Sequence, residues 1–167
     1  AIQHEEDELN DLFAINEQYY KKQHHGVCNL YETTFVYIIF KELLKEQYKH
    51  TVFWEYPYPS DSKEHSDLAL LNEKGNLEAL IEFKLWIRDD DQDIKSDICK
   101  LQKAQGCEKY IFIIGYGGDI EENEQYLLRD NVPLRLVGKK GLKTKLFKLD
   151  LDKIEDNELN IFMYEVM

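Results

Sequence analysis

Ser66-Asp67-Leu68-Ala69-Leu70-Leu71 and Ala79-Leu80-Ile81-Glu82-Phe83-Lys84-Leu85-Trp86 are apolar runs interrupted by three charges, with Asn72-Glu73-Lys74-Gly75-Asn76 between them. The intervening Gly and Asn suit a hairpin loop of about 3–5 residues, so Ser66–Leu71 and Leu77–Ile87 are expected to be antiparallel neighbours. Pairing Asn72 with Leu77 makes the numbers of opposite residues sum to 149, which sets Asp67 across from Glu82. Opposed side chains in such a pair share a face, with Cβ atoms about 4.5–5.5 Å apart. Two carboxylates at that separation repel unless a proton or cation joins them, and packing alone favours neither there. Glu82 and Lys84 are two apart, so a strand directs both to this face and Ile81, Phe83 and Leu85 to the other. A lone Glu-x-Lys reads as a surface ion pair worth about 0–1 kcal/mol. The opposed Asp67 and the apolar flanks make it a cluster of Asp67, Glu82 and Lys84. Its hard oxygen donors suit Mg²⁺, with Mn²⁺ as a substitute, and the ammonium can orient a water against a phosphodiester. The reaction class expected of it is metal-assisted hydrolysis.

Outward from this hairpin, Thr51–Tyr58 is rich in β-branched and aromatic residues, and Pro57 and Pro59 limit it to a first strand. Asn29–Tyr48 carries the wide apolar stripe of a long helix, with Asn29 as N-cap and Glu32 in capping-box position. Glu5–Gln23 reads as an earlier helix. On the far side, Ile94, Ile98 and Leu101 recur at helical spacing within Ile94–Gln105, a helix with a thin buried face, and Gly106 stops it. Tyr110–Gly115 is short and continuously apolar, as a central strand covered on both faces should be. Asp119–Leu128 reads as a helix, and Pro133–Val137, Leu146–Leu149 and Ile161–Val166 as further strands. The expected class is α/β, a mixed central sheet flanked by helices in the order α-β-β-β-α-β. One domain over residues 1–167 is expected, with 1–28 as an N-terminal helical extension and 116–167 as a C-terminal elaboration.

This order, with Asp67, fifteen residues, and then Glu82-Phe83-Lys84, resembles the PD-(D/E)XK nuclease superfamily, the restriction-endonuclease-like proteins, over roughly residues 29–115. The resemblance implies a restriction-endonuclease-like core and a Mg²⁺-dependent nuclease, expected to act on DNA. It implies that Asp67 and Glu82 bind the metal, that the backbone carbonyl of Phe83 completes the protein ligands, and that Lys84 assists the attacking water. Many members also carry an acidic residue on the first core helix. Glu32 is the best match, on the stripe Glu32, Val36, Ile39, Phe40 and Leu43, and either a capping or a metal role fits it. Ser66 stands where the motif's name has proline. Lys100 and Gln102 lie on the second core helix, where some members carry substrate-facing polar residues.

Composition constrains the rest. The chain has 167 residues, 21 basic and 33 acidic, for a formal charge of −12. That excludes a nucleic-acid binder that works through an overall basic surface and leaves a local site, a basic protein partner or a second subunit to supply affinity. No run is apolar enough to span a membrane and the first ten residues are acidic, so the expectation is a cytoplasmic protein with no membrane partner. Cys28, Cys99 and Cys107 form no CxxC and are expected to be reduced thiols. His24-His25 lacks further metal ligands at useful spacing. Asp89-Asp90-Asp91 reads as a solvated loop, and Gly115-Tyr116-Gly117-Gly118 as a tight turn without phosphate-loop spacing. Lys139, Lys140, Lys143, Lys145 and Lys148 read as a solvated hairpin turning at Gly138 and Gly141. The alternative to a nuclease is a non-catalytic module of the same fold, a subunit of a defence or repair assembly, in which the charged triad is a structural ion cluster.

Overall fold

The computed structural model describes residues 1–15, 30–45, 50–86, 91–148 and 153–167. They form a mixed α/β structure around one six-stranded sheet. In chain order the elements are α1 (Ile2–Ile15), α2 (Glu32–Lys45), β1 (His50–Tyr58), β2 (Asp61–Asn72), β3 (Leu77–Trp86), α3 (Gln92–Lys103), β4 (Glu108–Tyr116), α4 (Ile120–Leu127), β5 (Leu134–Lys148) and β6 (Lys153–Val166). Strand order across the sheet is β1-β2-β3-β4-β6-β5. Only β3 and β4 are parallel neighbours, joined by the α3 crossover that a parallel pair requires.

Helices cover both faces. On one, Ile94, Ile98 and Leu101 of α3 and Leu127 of α4 pack with Ala69, Leu80, Trp86, Ile111, Ile113, Phe162 and Tyr164. On the other, Phe35, Val36 and Ile38 of α2 and Ile2 of α1 meet Leu68, Ile81, Phe83, Ile114, Leu142 and Leu159. β3 and β4 are buried on both sides, so their sequences are nearly continuous in apolar residues, as expected of Tyr110–Gly115. Glu6 of α1 is buried and accepts from the Thr144 hydroxyl of β5 at 2.8 Å, which ties α1 to the sheet.

Two expectations need correction. β5 is a single strand rather than two strands flanking a lysine-rich hairpin; Gly138 and Gly141 lie within its ladder to β6. The reason is cross-strand charge: Lys143 stands opposite Glu158 and Lys145 opposite Asp156, pairs that favour a continuous ladder. A bulge at Val137 then turns the strand over, so Leu134 packs toward α3 while Leu142 packs toward α1 and α2. The second correction is that α2 begins at Glu32, its first helical residue, so Glu32 is not the third residue of a capping box; Asn29 lies outside the described residues. α1 spans Ile2–Ile15, an earlier start than Glu5, and the expected continuation to Gln23 also lies outside them.

Candidate functional site

The hairpin register holds where it matters, by a route the sequence reading did not foresee. At the turn Leu71 faces Leu77, one residue off the expected pairing, and a bulge at Glu78 then restores the sum of 149 at Leu70↔Ala79, Ala69↔Leu80 and Leu68↔Ile81. The turn itself is set by Asn72, whose side-chain oxygen accepts from the N–H groups of Lys74 and Asn76, and by Gly75 at φ 78°. Beyond Leu68↔Ile81 the β2–β3 ladder stops, which leaves backbone donors of β3 without a strand partner. Carboxylates take them: Asp67 Oδ2 accepts from Phe83 N at 2.7 Å, and Glu32 Oε2 accepts from Leu85 N at 2.9 Å. Glu32 and Asp67 thus replace the missing strand.

Around this gap Asp67, Glu82, Lys84 and Glu32 all come together. Glu82 is 5% exposed, and the Tyr58 hydroxyl donates to its Oε1. The Asp67 carboxyl is within hydrogen-bonding reach of Glu82. Burial pushes the Glu82 carboxyl up to about 8, with the Asp67 charge adding to the rise and the Tyr58 hydrogen bond opposing it. Burial likewise raises Asp67, against the lowering effect of the Phe83 N–H. With Glu82 buried and Asp67 half-buried beside it, burial and their mutual charge favour a proton on the pair, which a bound cation would displace. Lys84 reaches Asp97 Oδ2 at 3.1 Å and Glu32 Oε1 at 3.4 Å. Burial alone would lower the Lys84 ammonium, but Asp97 and Glu32 outweigh it and hold it above the ordinary lysine value. Both contacts favour the ammonium form of Lys84, which can donate hydrogen bonds.

Sequence reading missed Asp97 and gave Tyr58 no catalytic role, since Glu55-Tyr56-Pro57-Tyr58 at the end of the first strand is only weakly similar to the family and a tyrosine there is a weak signal. Asp97 gave a clearer one: it lies between Ile94 and Ile98 on the buried stripe of α3, where an unpaired carboxylate would be costly. Its second oxygen accepts from Lys100 at 3.0 Å, so Lys100 borders the site, whereas Gln102 donates to the Met167 carbonyl and stands apart. Ser66, in the proline position, is buried with its hydroxyl 3.2 Å from the Leu68 carbonyl and 3.4 Å from that of Tyr56, where it joins β1 to β2 beside the site.

The donor set fits a hard divalent cation. Among the described residues no three His, Cys, Asp or Glu side chains converge as a metal-holding group. Asp67 and Glu82 supply two carboxylates, and Mg²⁺ is commonly held by one or two with waters completing its shell. Phe83 donates its N–H to Asp67, and a strand residue directs its N–H and C=O to the same edge, so the Phe83 carbonyl belongs to the same gap. Once the proton on the Asp67–Glu82 pair has left, the four carboxylates of Glu32, Asp67, Glu82 and Asp97 exceed the two ammonium groups of Lys84 and Lys100 by two charges, which one divalent ion would balance.

The other candidates resolve simply. Asp91 pairs with Lys95 and Arg129 at 3.0 Å each, while His24, His25, Asp89 and Asp90 lie outside the described residues. Gly117 and Gly118 have φ of 69° and 77° and form the expected tight turn, fastened by Asn123 and Asn160 to their carbonyls. Cys99 and Cys107 are free thiols; Cys28 is not among the described residues. Among the described residues no helix is long and apolar enough to cross a membrane. No protein-family model matches the sequence, and no curated protein is similar enough to count as a relative.

Proposed function

We propose that the protein is a divalent-metal-dependent nuclease of the PD-(D/E)XK type that hydrolyses phosphodiester bonds, with DNA as its substrate. The observation that carries this reading is the gap at the end of the β2–β3 ladder, where Asp67 and Glu82 share a buried site beside Lys84. The element order α2-β1-β2-β3-α3-β4 supports it, since it is the order expected of a restriction-endonuclease-like core. Asp67, Glu82 and the Phe83 carbonyl would hold Mg²⁺ or Mn²⁺. A bound divalent ion supplies positive charge that draws in the phosphate and makes a water more acidic. Lys84, kept as an ammonium by Asp97 and Glu32, donates a hydrogen bond to the attacking water or to the phosphate oxygen on which charge builds. Glu32 fixes the β3 backbone at Leu85, and Tyr58 fixes the Glu82 carboxylate.

The net charge of −12 is consistent with this reading if phosphate is attracted locally, through the ion, rather than by the surface. A second reading, a nuclease-like interaction module, is favoured by one observation: Asp67, Glu82, Lys84 and Glu32 each already have a partner within the chain. Incubation with single- and double-stranded DNA and with RNA, in Mg²⁺ or Mn²⁺, separates the two. Cleavage lost on chelation and in Lys84→Ala is expected. No cleavage of any substrate by pure wild-type protein overturns the nuclease reading and leaves the module.

A further inference from the structure

We propose that Asp97 is a positioning residue of the site, a carboxylate clamp from α3 that bridges Lys84 and Lys100 and holds the Lys84 ammonium beside Asp67 and Glu82. Its side chain is only 8% exposed, with one oxygen 3.1 Å from Lys84 and the other 3.0 Å from Lys100. An exposed i,i+3 pair on a helix stabilises it by only about 0.2–0.5 kcal/mol and needs no burial. Asp97 does more than pair along its helix. It faces inward among Ile94, Ile98 and Leu101, and its contact with Lys84 joins α3 to β3 across the layer boundary. Replacing it with an apolar residue would fill that stripe in the ordinary way but leave Lys84 with Glu32 alone, at 3.4 Å.

The groups facing Lys84 and Asp97 come from every surrounding element. They are Glu32 on α2, Tyr58 on β1, Asp67 on β2, Glu82 on β3 and Lys100 on α3. Among the described residues only Asp97 pairs with both lysines. A four-bond lysine side chain has rotamer freedom to lose, and fixing its head group from two sides is what orients a donor for chemistry at a neighbouring atom. Lys100, at 32% side-chain exposure against 20% for Lys84, occupies the solvent side of the clamp.

The kinetic half of this inference rests on the nuclease reading; the geometric half does not, and the test reads both. Side-chain ¹⁵N NMR of the lysine ammonium groups is expected to show Lys84 ordered in the wild type, and Asp97→Asn is expected to lose that order while exposed Lys74 is unchanged. Asp97→Asn is also expected to lower kcat on the order of 10- to 100-fold, with KM within about threefold. In a Lys84→Met background the same substitution is expected to have no further effect, an equality that a general loss of packing would not produce. The double variant, which removes both charges together, keeps the test available if Asp97→Asn alone does not fold. An equally ordered Lys84 in Asp97→Asn, or full additivity with Lys84→Met, overturns the clamp. A wild type that cleaves nothing but loses Lys84 order in Asp97→Asn overturns the nuclease reading and supports the clamp.

Discussion

Glu55 has φ 52°, a conformation that costs a residue with a side chain about 1 kcal/mol. It lies between the pairs Trp54↔Leu68 and Tyr56↔Ser66, across from Asp67. In a regular strand Phe53 and Tyr56 would point to opposite faces, yet their rings stand 5.8 Å apart. The left-handed residue thus turns β1 over: Trp54 packs on Phe40 of α2, whereas Tyr56 and Tyr58 join the α3 side, where Tyr58 meets Glu82. Glu55→Gly is therefore expected to leave stability unchanged or raise it by up to about 1 kcal/mol, and Glu55→Val to lower it by more than that, measured by urea unfolding. Glu82 carries the clearest pH signature. Its carboxyl is raised from 4.5 to about 8 in the folded protein, so between those values the native state binds more protons than the unfolded one. Its stabilising contribution is complete below pH 4.5 and is lost as pH rises through 8. Metal-free protein is expected to become less stable over that interval, and Glu82→Gln to flatten the trend in thermal unfolding recorded at a series of pH values.

At the scale of elements, the site depends on where a ladder ends. β3 is paired on one side by β4 throughout Ala79–Trp86, but β2 leaves it after Ile81. The β3–β4 pair is fitted closely at its end, because a Cβ on Gly115 would stand 2.7 Å from Trp86 Cε3. Gly115→Ala is expected to destabilise the protein by about 1–3 kcal/mol, read from the denaturant midpoint, through displacement of the buried indole. These elements were legible to different degrees. The period-2 charges of Glu82 and Lys84 and the apolar Tyr110–Gly115 run are local patterns, and the structure has them as expected. The register was legible only through the sum of two features, the turn at Asn72 and the bulge at Glu78, whose one-residue effects cancel. Asp97 was present as a charge on an apolar stripe, but its partner lies on another element and sequence spacing does not reveal it. The inversions at Glu55 and Val137 were illegible, since neither residue type favours the irregularity it adopts. The lysines of β5 were misread because their acidic counterparts are supplied by β6, after the connection at residues 149–152.

For the molecule as a whole, the acidic balance shapes the account. Lys139 is engaged by Glu121 and Glu124, Arg135 by Glu165, and Lys143 and Lys145 stand opposite acids, so three of the five lysines in this basic concentration are matched by acids of the fold, while Lys140 and Lys148 stand opposite Ile161 and Lys153. In the proposed reading, positive charge for a nucleic-acid substrate enters with a cation at Asp67 and Glu82, and a basic protein partner or second subunit is the other source. Calorimetric titration of Mn²⁺ into wild type, Asp67→Ala and Glu82→Ala tests this most directly, without any assumption about substrate. Saturable binding by the wild type alone is expected, with proton release at pH 7 as the ion replaces a proton on the Asp67–Glu82 pair. Equal heats from all three proteins, or none from the wild type, would contradict it.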